Sequence, residues 1–289
     1  MKFLPYAVAY LDILGFSKFV EDAENCQGKL DALGRLFNEV IPGEIKAEGK
    51  NSQYPADLCL KCLSCSDSIV VSAPVSDNSC YPALIAVSIK AIQIAHALLD
   101  MGFLVRGALA VGNVYRTDSN ILGTGYQEAV NGEKAARNPQ IVLTESAKQA
   151  LDNLISNCNC HRYAIFAQSA LGEIILDTLY PYPDYMYDKS VSVEEYYRRY
   201  RTTIVQNLSH EDLRVREKWL WFAGFFNANV RYFQGSMIEE SDSMAINQEL
   251  PSITMNYLNP PATDQRWLDD FRPSGVRVIL TEPNQARKP

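Results

Sequence analysis

Residues 7–20 read AVAYLDILGFSKFV, and this stretch decides the fold that we predict. Apolar and aromatic residues alternate on its N-terminal side, which is the pattern of a β-strand with two different faces. We expect the strand to end at Asp12 and Ser17 to cap the helix that follows. Between them, Gly15 lets the backbone approach a ligand closely. The stretch therefore predicts a carboxylate at the junction of a strand and a helix.

The start of this helix offers a second kind of contact. The first N–H groups of a helix have no partner inside it, so the amides of Leu14, Gly15, Phe16 and Ser17 can face an anion. Together with Asp12, they suit a divalent metal ion that carries a polyphosphate. The structural alternative is that Asp12 only caps the end of the strand.

Another candidate carboxylate lies in residues 61–72, KCLSCSDSIVVS. A turn at 66–68 followed by a β-branched run predicts a tight hairpin with Asp67 at its tip. If this hairpin lies beside the first strand, Asp12 and Asp67 are neighbours, and two carboxylates repel unless a cation or a proton joins them. Mg²⁺ or Mn²⁺, bound through oxygen and shared with substrate phosphates, is the cation that we predict.

Hydrophobic periodicity predicts the order β-αα-ββ-α-ββ-α-β-α up to residue 150, an α+β arrangement with the helices on one face of one sheet. The further predictions are helices at 81–99, 193–205 and 213–233, strands at 162–167 and 173–179, and an irregular chain from residue 235.

Four short motifs follow one another in the first half of the chain. They are DILGFS at 12–17, SDS at 66–68, RGALAVGNVY at 106–115, and GTGYQEA at 123–129 with Glu133, Ala136, Pro139 and Ile141 after it. In this order and spacing they resemble the class III nucleotidyl cyclases, and within them the bacterial antiphage pyrimidine cyclases of the Pycsar type. The resemblance covers about residues 5–150.

The resemblance implies a cyclase-like catalytic core over residues 1–180, an antiparallel-rich sheet with helices packed on it. A helical and irregular C-terminal extension, 181–289, would pack on this core or on the dimer. It also implies two divalent ions, Mg²⁺ or Mn²⁺, held by Asp12, Asp67 and the backbone carbonyl of Ile13. One ion helps to deprotonate the ribose 3′-hydroxyl and the other holds the triphosphate, so that O3′ attacks the α-phosphorus and pyrophosphate leaves.

Departures from the purine cyclases favour the pyrimidine branch. Many purine cyclases carry an Asn and an Arg four residues apart on the helix after the glycine turn, where this chain has Gln127 and Asn131. The Lys that selects purines near the hairpin also has no clear counterpart, since Leu63 lies four residues before Asp67. The cation for the transition state must then come from elsewhere. The candidates are Arg106, Lys134 and Arg137, and we assign Arg106 as catalytic.

The predicted function is a metal-dependent uridylate cyclase, which converts UTP to 3′,5′-cyclic UMP and pyrophosphate. By the resemblance it works as a homodimer, and its product signals to a separate effector in antiphage defence. One alternative is a cytidylate cyclase that makes cyclic CMP. Another is a degenerate cyclase-like module that binds a nucleotide without turnover. A third is a metal-dependent phosphohydrolase of a different α+β fold, because two Asp residues at strand ends serve many phosphoryl enzymes.

Composition narrows the partners and the compartment. The formal charge of −7 and the pI of about 5.1 argue against extended nucleic-acid binding through phosphate contacts. No segment has about 18 uninterrupted apolar residues, so we expect no membrane span and a cytoplasmic protein. Seven cysteines, an odd number, indicate free thiols. For Cys59, Cys62, Cys65, Cys158 and Cys160, the simplest role is that of small buried hydrophobes; a zinc site made by these cysteines and His161 is the alternative.

Overall fold

The computed structural model describes residues 2–42, 60–76, 82–157, 165–169, 171–181, 190–233, 238 and 244–258. The strands are β1 (Leu4–Leu14), β2 (Lys61–Cys65), β3 (Ser68–Pro74), β4 (Leu104–Arg116), β5 (Ile121–Leu122), β6 (Ile141–Leu143), β7 (Phe166–Ser169), β8 (Ile174–Leu176) and β9 (Met255–Tyr257). The helices are α1 (Phe16–Ala23), α2 (Gln27–Arg35), α3 (Ala83–Asp100), α4 (Thr124–Ala135), α5 (Glu145–Asn157), α6 (Val193–Asn207) and α7 (Leu213–Phe233). A single π-helical turn, Leu36–Val40, continues α2.

These strands form one sheet in the order β2-β3-β1-β4-β6-β8-β7-β9, and β5 pairs with the end of β4. Neighbouring strands are antiparallel except β4 and β6, which are parallel and are joined by a crossover through α4. The predicted α+β class with an antiparallel-rich sheet is therefore confirmed. The predicted order of elements up to residue 150 is also the observed order.

The two faces of β1 pack against different helices, as its period of two requires. Ala7, Ala9 and Leu11 belong to the main core, which contains α3. Val8 belongs to a smaller cluster with Ala129 of α4 on the opposite face. The prediction that the helices pack on one face of the sheet is therefore wrong, because α4 covers the other face.

Small residues let the backbone of α4 come close to β4. A Cβ atom added to Gly112 of β4 would lie 2.8 Å from the Cα atom of Gly125 in α4. A Cβ atom added to Gly132 would lie 2.7 Å from the Cβ atom of Ala108. Larger residues at these two glycines would push the helix off the sheet. The contact thus fixes the distance between α4 and β4.

The central helix α3 is apolar along nearly its whole length. Within the described residues, it is the one helix whose length and composition would suit a membrane span. Almost all of it is buried inside the molecule, and this burial accounts for its apolar sequence. The ammonium group of Lys90, also buried on α3, donates to the carbonyl of Val40 at 2.8 Å, and burial lowers the pKa of Lys90.

The C-terminal helices pack on the same core as the N-terminal half. α6 contributes Tyr196, Tyr197 and Tyr200, and α7 contributes several of its aromatic residues. β9 pairs with β7, so the prediction of an irregular chain from residue 235 is wrong at this strand. Met255 and Tyr257 of this strand pack against the main core, but three residues are too few for their alternation with Asn256 to predict a strand. The boundary at residue 180 stays a prediction.

A buried polar network joins the end of β8 to α6, α7 and β9. Asp177 is fully buried, and its Oδ2 accepts hydrogen bonds from Asn229 Nδ2 at 2.7 Å and from the Tyr257 hydroxyl at 2.9 Å. Its Oδ1 accepts one from the Leu179 amide at 3.0 Å. The Tyr197 hydroxyl donates to Asn229 Oδ1 at 2.5 Å. Burial raises the pKa of Asp177 to about 7, although these donors lower it.

A second buried polar group, His96 of α3, lies against α6. Its Nε2 donates to the carbonyl of Tyr180 at 3.3 Å, which leaves Nδ1 to accept from the Tyr200 hydroxyl at 2.9 Å. The His96 and Tyr200 rings are stacked, with their centroids 5.6 Å apart. Burial lowers the pKa of His96 to about 4, although the bond to Tyr180 raises it, so the ring is neutral at physiological pH.

Candidate functional site

Asp12 lies near the end of β1 but does not terminate it. The strand continues to Leu14, which pairs with Leu104 of β4, so the predicted end at Asp12 is two residues too early. The cause is the burial of Ile13 in the main core, which keeps the chain extended. Gly15 then takes a φ of 83° and precedes α1.

The predicted helix cap at Ser17 is also wrong. Gly15 occupies the N-cap position of α1, whose first residue is Phe16, and no side chain caps the helix. Glycine reaches the left-handed conformation without a steric penalty, so the turn needs no side-chain bond. The Phe16 side chain is buried near Phe37 and Phe103. In the predicted anion site at residues 14–17, Phe16 can therefore contact a ligand only through its backbone.

The predicted hairpin is formed by β2 and β3, but its turn has two residues, because Ser68 already belongs to β3. Ser66 and Asp67 form the turn, and Ser66 has a φ of 57°, which is unusual for a residue other than glycine. β3 pairs with β1 so that Ser68 lies opposite Asp12. The Ile13 amide donates to the Asp67 carbonyl at 2.9 Å. The hairpin tip is thus bonded to the residue that follows Asp12.

Arg106 of β4 lies on the other side of Asp12. The two residues are direct partners in the register of β1 and β4, and Arg106 Nη2 donates to Asp12 Oδ2 at 3.2 Å. The same guanidinium reaches Glu133 of α4, with Nε 2.6 Å and Nη2 2.5 Å from Oε1. Arg106 therefore bridges a carboxylate of the sheet and a carboxylate of the helix above it.

The charges around Asp12 leave a negative excess. Burial raises the pKa of Asp12, and the charges of Glu133 and Asp67 raise it further, while the charges of Arg106 and Lys218 lower it. The net direction is upward, so these two cations do not offset the burial of Asp12 and the two neighbouring carboxylates. A divalent cation next to Asp12 would relieve this repulsion.

Glu133 belongs to the fourth sequence motif, but the sequence does not predict its place beside Asp12 and Arg106. Its side chain is 7% exposed, and Arg106 is its one ion-pair partner among the residues that the structure describes. A signal was available, because Glu133 falls on the same stripe of α4 as Gly125 and Ala129, which are small and buried. A charged residue on a buried stripe requires a cation partner.

The other predicted candidates lie on α4 or two residues after its end, and among the described residues none of them pairs with Asp12 or Glu133. Gln127 and Asn131 are exposed, and so are the alternative cations Lys134 and Arg137. Tyr10 of β1 lies on the α4 face, where its hydroxyl is 2.8 Å from Ser68 Oγ and its ring meets the Tyr126 ring edge-on. Leu63 packs beside these aromatic rings. The wall next to Asp12 on this face is therefore aromatic and apolar.

The oxygen donors around Asp12 suit Mg²⁺ or Mn²⁺. Asp12 and Asp67 offer carboxylates and Ile13 offers a backbone carbonyl, which are the hard donors that these ions prefer. In the described parts of the chain, no three or more His, Cys, Asp or Glu side chains gather in an arrangement suited to a metal. An ion here would therefore complete its coordination with water and substrate phosphates, as Mg²⁺ does in phosphoryl-transfer sites.

Cys62 and Cys65, which the sequence predicts as small buried hydrophobes, are not fully buried. Cys26 and Cys65 are exposed, and Cys62 is partly buried with its pKa raised by burial. Cys65 is exposed because it lies at the tip of the hairpin, next to the turn. The remaining candidates for a zinc site lie outside the described residues: Cys59, Cys158, Cys160 and His161.

No protein-family model matches the chain, and no curated protein gives a significant match. Among solved structures, the catalytic core of a rhodopsin-guanylyl cyclase with converted specificity, in complex with ATPαS, has 12% identity and a TM-score of 0.37, over 60% of this chain and 96% of that chain. The monomeric guanylyl cyclase domain of the RhoGC fusion protein from the aquatic fungus Blastocladiella emersonii has 12% identity and a TM-score of 0.38, over 60% and 94%. The adenylate/guanylate cyclase/hydrolase from Silicibacter pomeroyi has 15% identity and a TM-score of 0.35, over 54% and 85%. Scores of this size assign neither fold nor activity.

Proposed function

We propose that the protein is a metal-dependent pyrimidine nucleotide cyclase, which converts UTP to 3′,5′-cyclic UMP and pyrophosphate. CTP, giving cyclic CMP, is the alternative substrate. As in the family that the motifs resemble, the enzyme would be a cytoplasmic homodimer. Its product would act as a second messenger on a separate effector in antiphage defence.

One observation carries this proposal, the meeting of Asp12 with the tip of the hairpin. The bond of 2.9 Å between the Ile13 amide and the Asp67 carbonyl brings the turn to Asp12, and the charge of Asp67 acts on the Asp12 carboxyl. Arg106 adds a cation at 3.2 Å from Asp12. Two carboxylates with a cation beside them suit phosphoryl transfer, in which the protein mainly positions groups and balances charge.

Each of these groups has a separate task in the proposed reaction. Asp12 and Asp67, with the Ile13 carbonyl, would hold two divalent ions, which when bound neutralise charge on the attacking and leaving oxygens. Arg106 offers a fixed positive charge next to Asp12, where it would stabilise the charge that develops on the phosphoryl oxygens. The backbone from Leu14 to Ser17 would hold the triphosphate at the start of α1.

A cyclase-like module that binds a nucleotide without turnover is the second candidate. It is favoured by the exposed positions of Gln127 and Asn131 on α4, where purine cyclases carry an Asn and an Arg. In this case Arg106, the cation in contact with Asp12, is already engaged in bridging two carboxylates.

The test is to incubate the full-length protein with each of the four ribonucleoside triphosphates and Mn²⁺, and to identify the products by mass spectrometry. A 3′,5′-cyclic product from UTP supports the uridylate cyclase, and one from CTP supports the alternative substrate. Linear uridine monophosphate as the product would indicate a phosphohydrolase instead. Nucleotide binding without release of pyrophosphate would favour the binding module.

A further inference from the structure

The Arg106 guanidinium is shared unequally between its two carboxylates. It makes two contacts with Glu133 Oε1, at 2.6 Å from Nε and 2.5 Å from Nη2, but a single contact of 3.2 Å with Asp12 Oδ2. Among the described residues, no group donates to Asp12 Oδ1. Charge-assisted hydrogen bonds are stronger when they are short, so Glu133 is the main partner of Arg106.

The burial of Glu133 makes its ion pair with Arg106 costly to break. The Glu133 side chain is 7% exposed, whereas those of Asp12 and Arg106 are 21% and 26% exposed. Releasing Arg106 would leave Glu133 as an unpaired buried charge, which is far more costly than releasing the more exposed Asp12. Of these two contacts, the one with Asp12 is therefore the contact that can open.

The backbone of α4 holds Glu133 at a fixed place above the sheet. Gly132, the residue before it, touches Ala108, which lies two residues after Arg106 on the same face of β4. Because these contacts leave no room for α4 to move closer to β4, the backbone of Glu133 cannot shift toward Asp12. The position of α4 thus limits how closely the Arg106 guanidinium, while paired with Glu133, can approach Asp12.

We propose that Glu133 is a positioning residue, which draws Arg106 away from Asp12 so that the Asp12 carboxylate stays available to a divalent cation. This inference rests on the proposed function, because it concerns the metal site at Asp12 and Asp67. Arg106 and the metal ion compete for Asp12, and Glu133 biases the competition toward the metal. Without Glu133, the guanidinium has Asp12 as its nearest carboxylate and occupies the place of the cation.

The test measures Mn²⁺ affinity without nucleotide and without turnover, from the electron paramagnetic resonance signal of free Mn²⁺. In E133Q, we expect Mn²⁺ to bind about tenfold more weakly, since a neighbouring unit charge shifts the ionisation of a carboxylate by about one to three pK units. In R106Q, we expect binding to become tighter by a similar factor. D12N and D67N mark the site, because each should weaken the binding.

The double variant R106Q/E133Q separates positioning from a simple charge effect. If Glu133 acts through Arg106, then E133Q weakens Mn²⁺ binding much less in the R106Q background, where no guanidinium is left to move onto Asp12. If Glu133 acts only through its own charge, E133Q weakens binding by the same factor in both backgrounds, and the proposal is overturned. Since R106Q leaves Glu133 buried and unpaired and can lose its fold, E133Q and the double variant form a second comparison, in which losing Arg106 must tighten binding.

Failure of this inference and failure of the proposed function give different results. A Mn²⁺ site that D67N weakens but that R106Q and E133Q leave unchanged overturns the role of Glu133 alone. If the wild-type protein shows no Mn²⁺ binding that depends on Asp12 or Asp67, the metal site of the proposed function is refuted, and so is the competition between Arg106 and the metal ion for Asp12. Circular dichroism of each variant at the assay temperature verifies that it is folded.

Discussion

Replacing Asp177 by Asn should remove a loss of stability that occurs as the pH rises. The opposite dependence, a gain of stability with rising pH that comes from His96, should then become visible. Asp177 is fully buried, and its pKa is raised from 3.8 to about 7. Between these two values the folded protein keeps a proton on Asp177 that the unfolded chain has released. The unfolded state therefore binds fewer protons, and the contribution of Asp177 to stability falls as the pH rises.

The structure gives the size of this effect. Each pK unit corresponds to about 1.4 kcal/mol, so a shift from 3.8 to about 7 amounts to about 4 kcal/mol. Of this amount, about 2 kcal/mol of stability is lost between about pH 5.5 and 7. Domains of this kind are stable by only about 5–15 kcal/mol, so the change is measurable.

A second group hides this dependence in the wild-type protein. His96 is also fully buried, but its pKa is lowered from 6.5 to about 4, so in this range the unfolded chain binds the extra proton and stability rises with pH. The two groups titrate in overlapping ranges with opposite signs. We therefore expect a nearly flat contribution from the pair below about pH 6.5 and a loss of stability from Asp177 just above it.

The assay is urea unfolding of the wild-type protein and D177N from about pH 5.5 to 8, with the free energies extrapolated to water. The stability of the wild type relative to D177N should fall by about 2 kcal/mol between about pH 5.5 and 7 and then level off. A constant offset from the altered hydrogen bonds at Asn229 and Tyr257 does not affect this slope. Parallel stability curves for the two proteins would refute the protonated, buried state of Asp177.

Other predictions concern His96 and the contact between α4 and β4. For H96Q we expect the opposite change, since the stability of the wild type relative to the variant should rise by about 2 kcal/mol between about pH 5 and 6.5. Urea unfolding would again measure it, and a stability difference that does not change with pH would contradict a buried neutral ring. G112A places a Cβ 2.8 Å from the Gly125 Cα and should cost about 1–3 kcal/mol, whereas G34A, with nothing within 4 Å of its Cβ inside α2, should stabilise by up to about 1 kcal/mol. Thermal unfolding compares the two variants, and equal melting temperatures would argue against the tight contact.

Local patterns were enough to predict most of the fold. The alternation in residues 7–11 and the turn at Ser66 and Asp67 predict β1 and the hairpin, because both signals come from neighbours in sequence. The helices at 193–207 and 213–233 were likewise predicted within two residues of their observed ends. Asp12 and Asp67 were placed near each other by the same reasoning, which needs only that the hairpin lies beside β1.

Long-range contacts made through small or polar residues could not be predicted in this way. The position of α4 depends on the close approach of Gly112 and Gly125, which are far apart in the sequence. A contact between glycines leaves no hydrophobic pattern by which it could be predicted. The partners Arg106 and Glu133 are 27 residues apart on different elements. Asp177 resembles a surface residue in sequence, because its burial depends on Asn229 and Tyr257 from the other end of the chain.

The most direct test of the central claim, that Asp12 and Asp67 hold metal ions for nucleotide cyclisation, is the rate of cyclic UMP formation by D67A in Mn²⁺. We expect D67A to lose about 100-fold or more, because charge stabilisation by a metal is worth several kcal/mol and about 1.4 kcal/mol is tenfold in rate. D118A is the matched control, since Asp118 is exposed and pairs with Lys61 away from Asp12. A folded D67A that forms cyclic UMP at the rate of D118A and of the wild type would contradict the assignment.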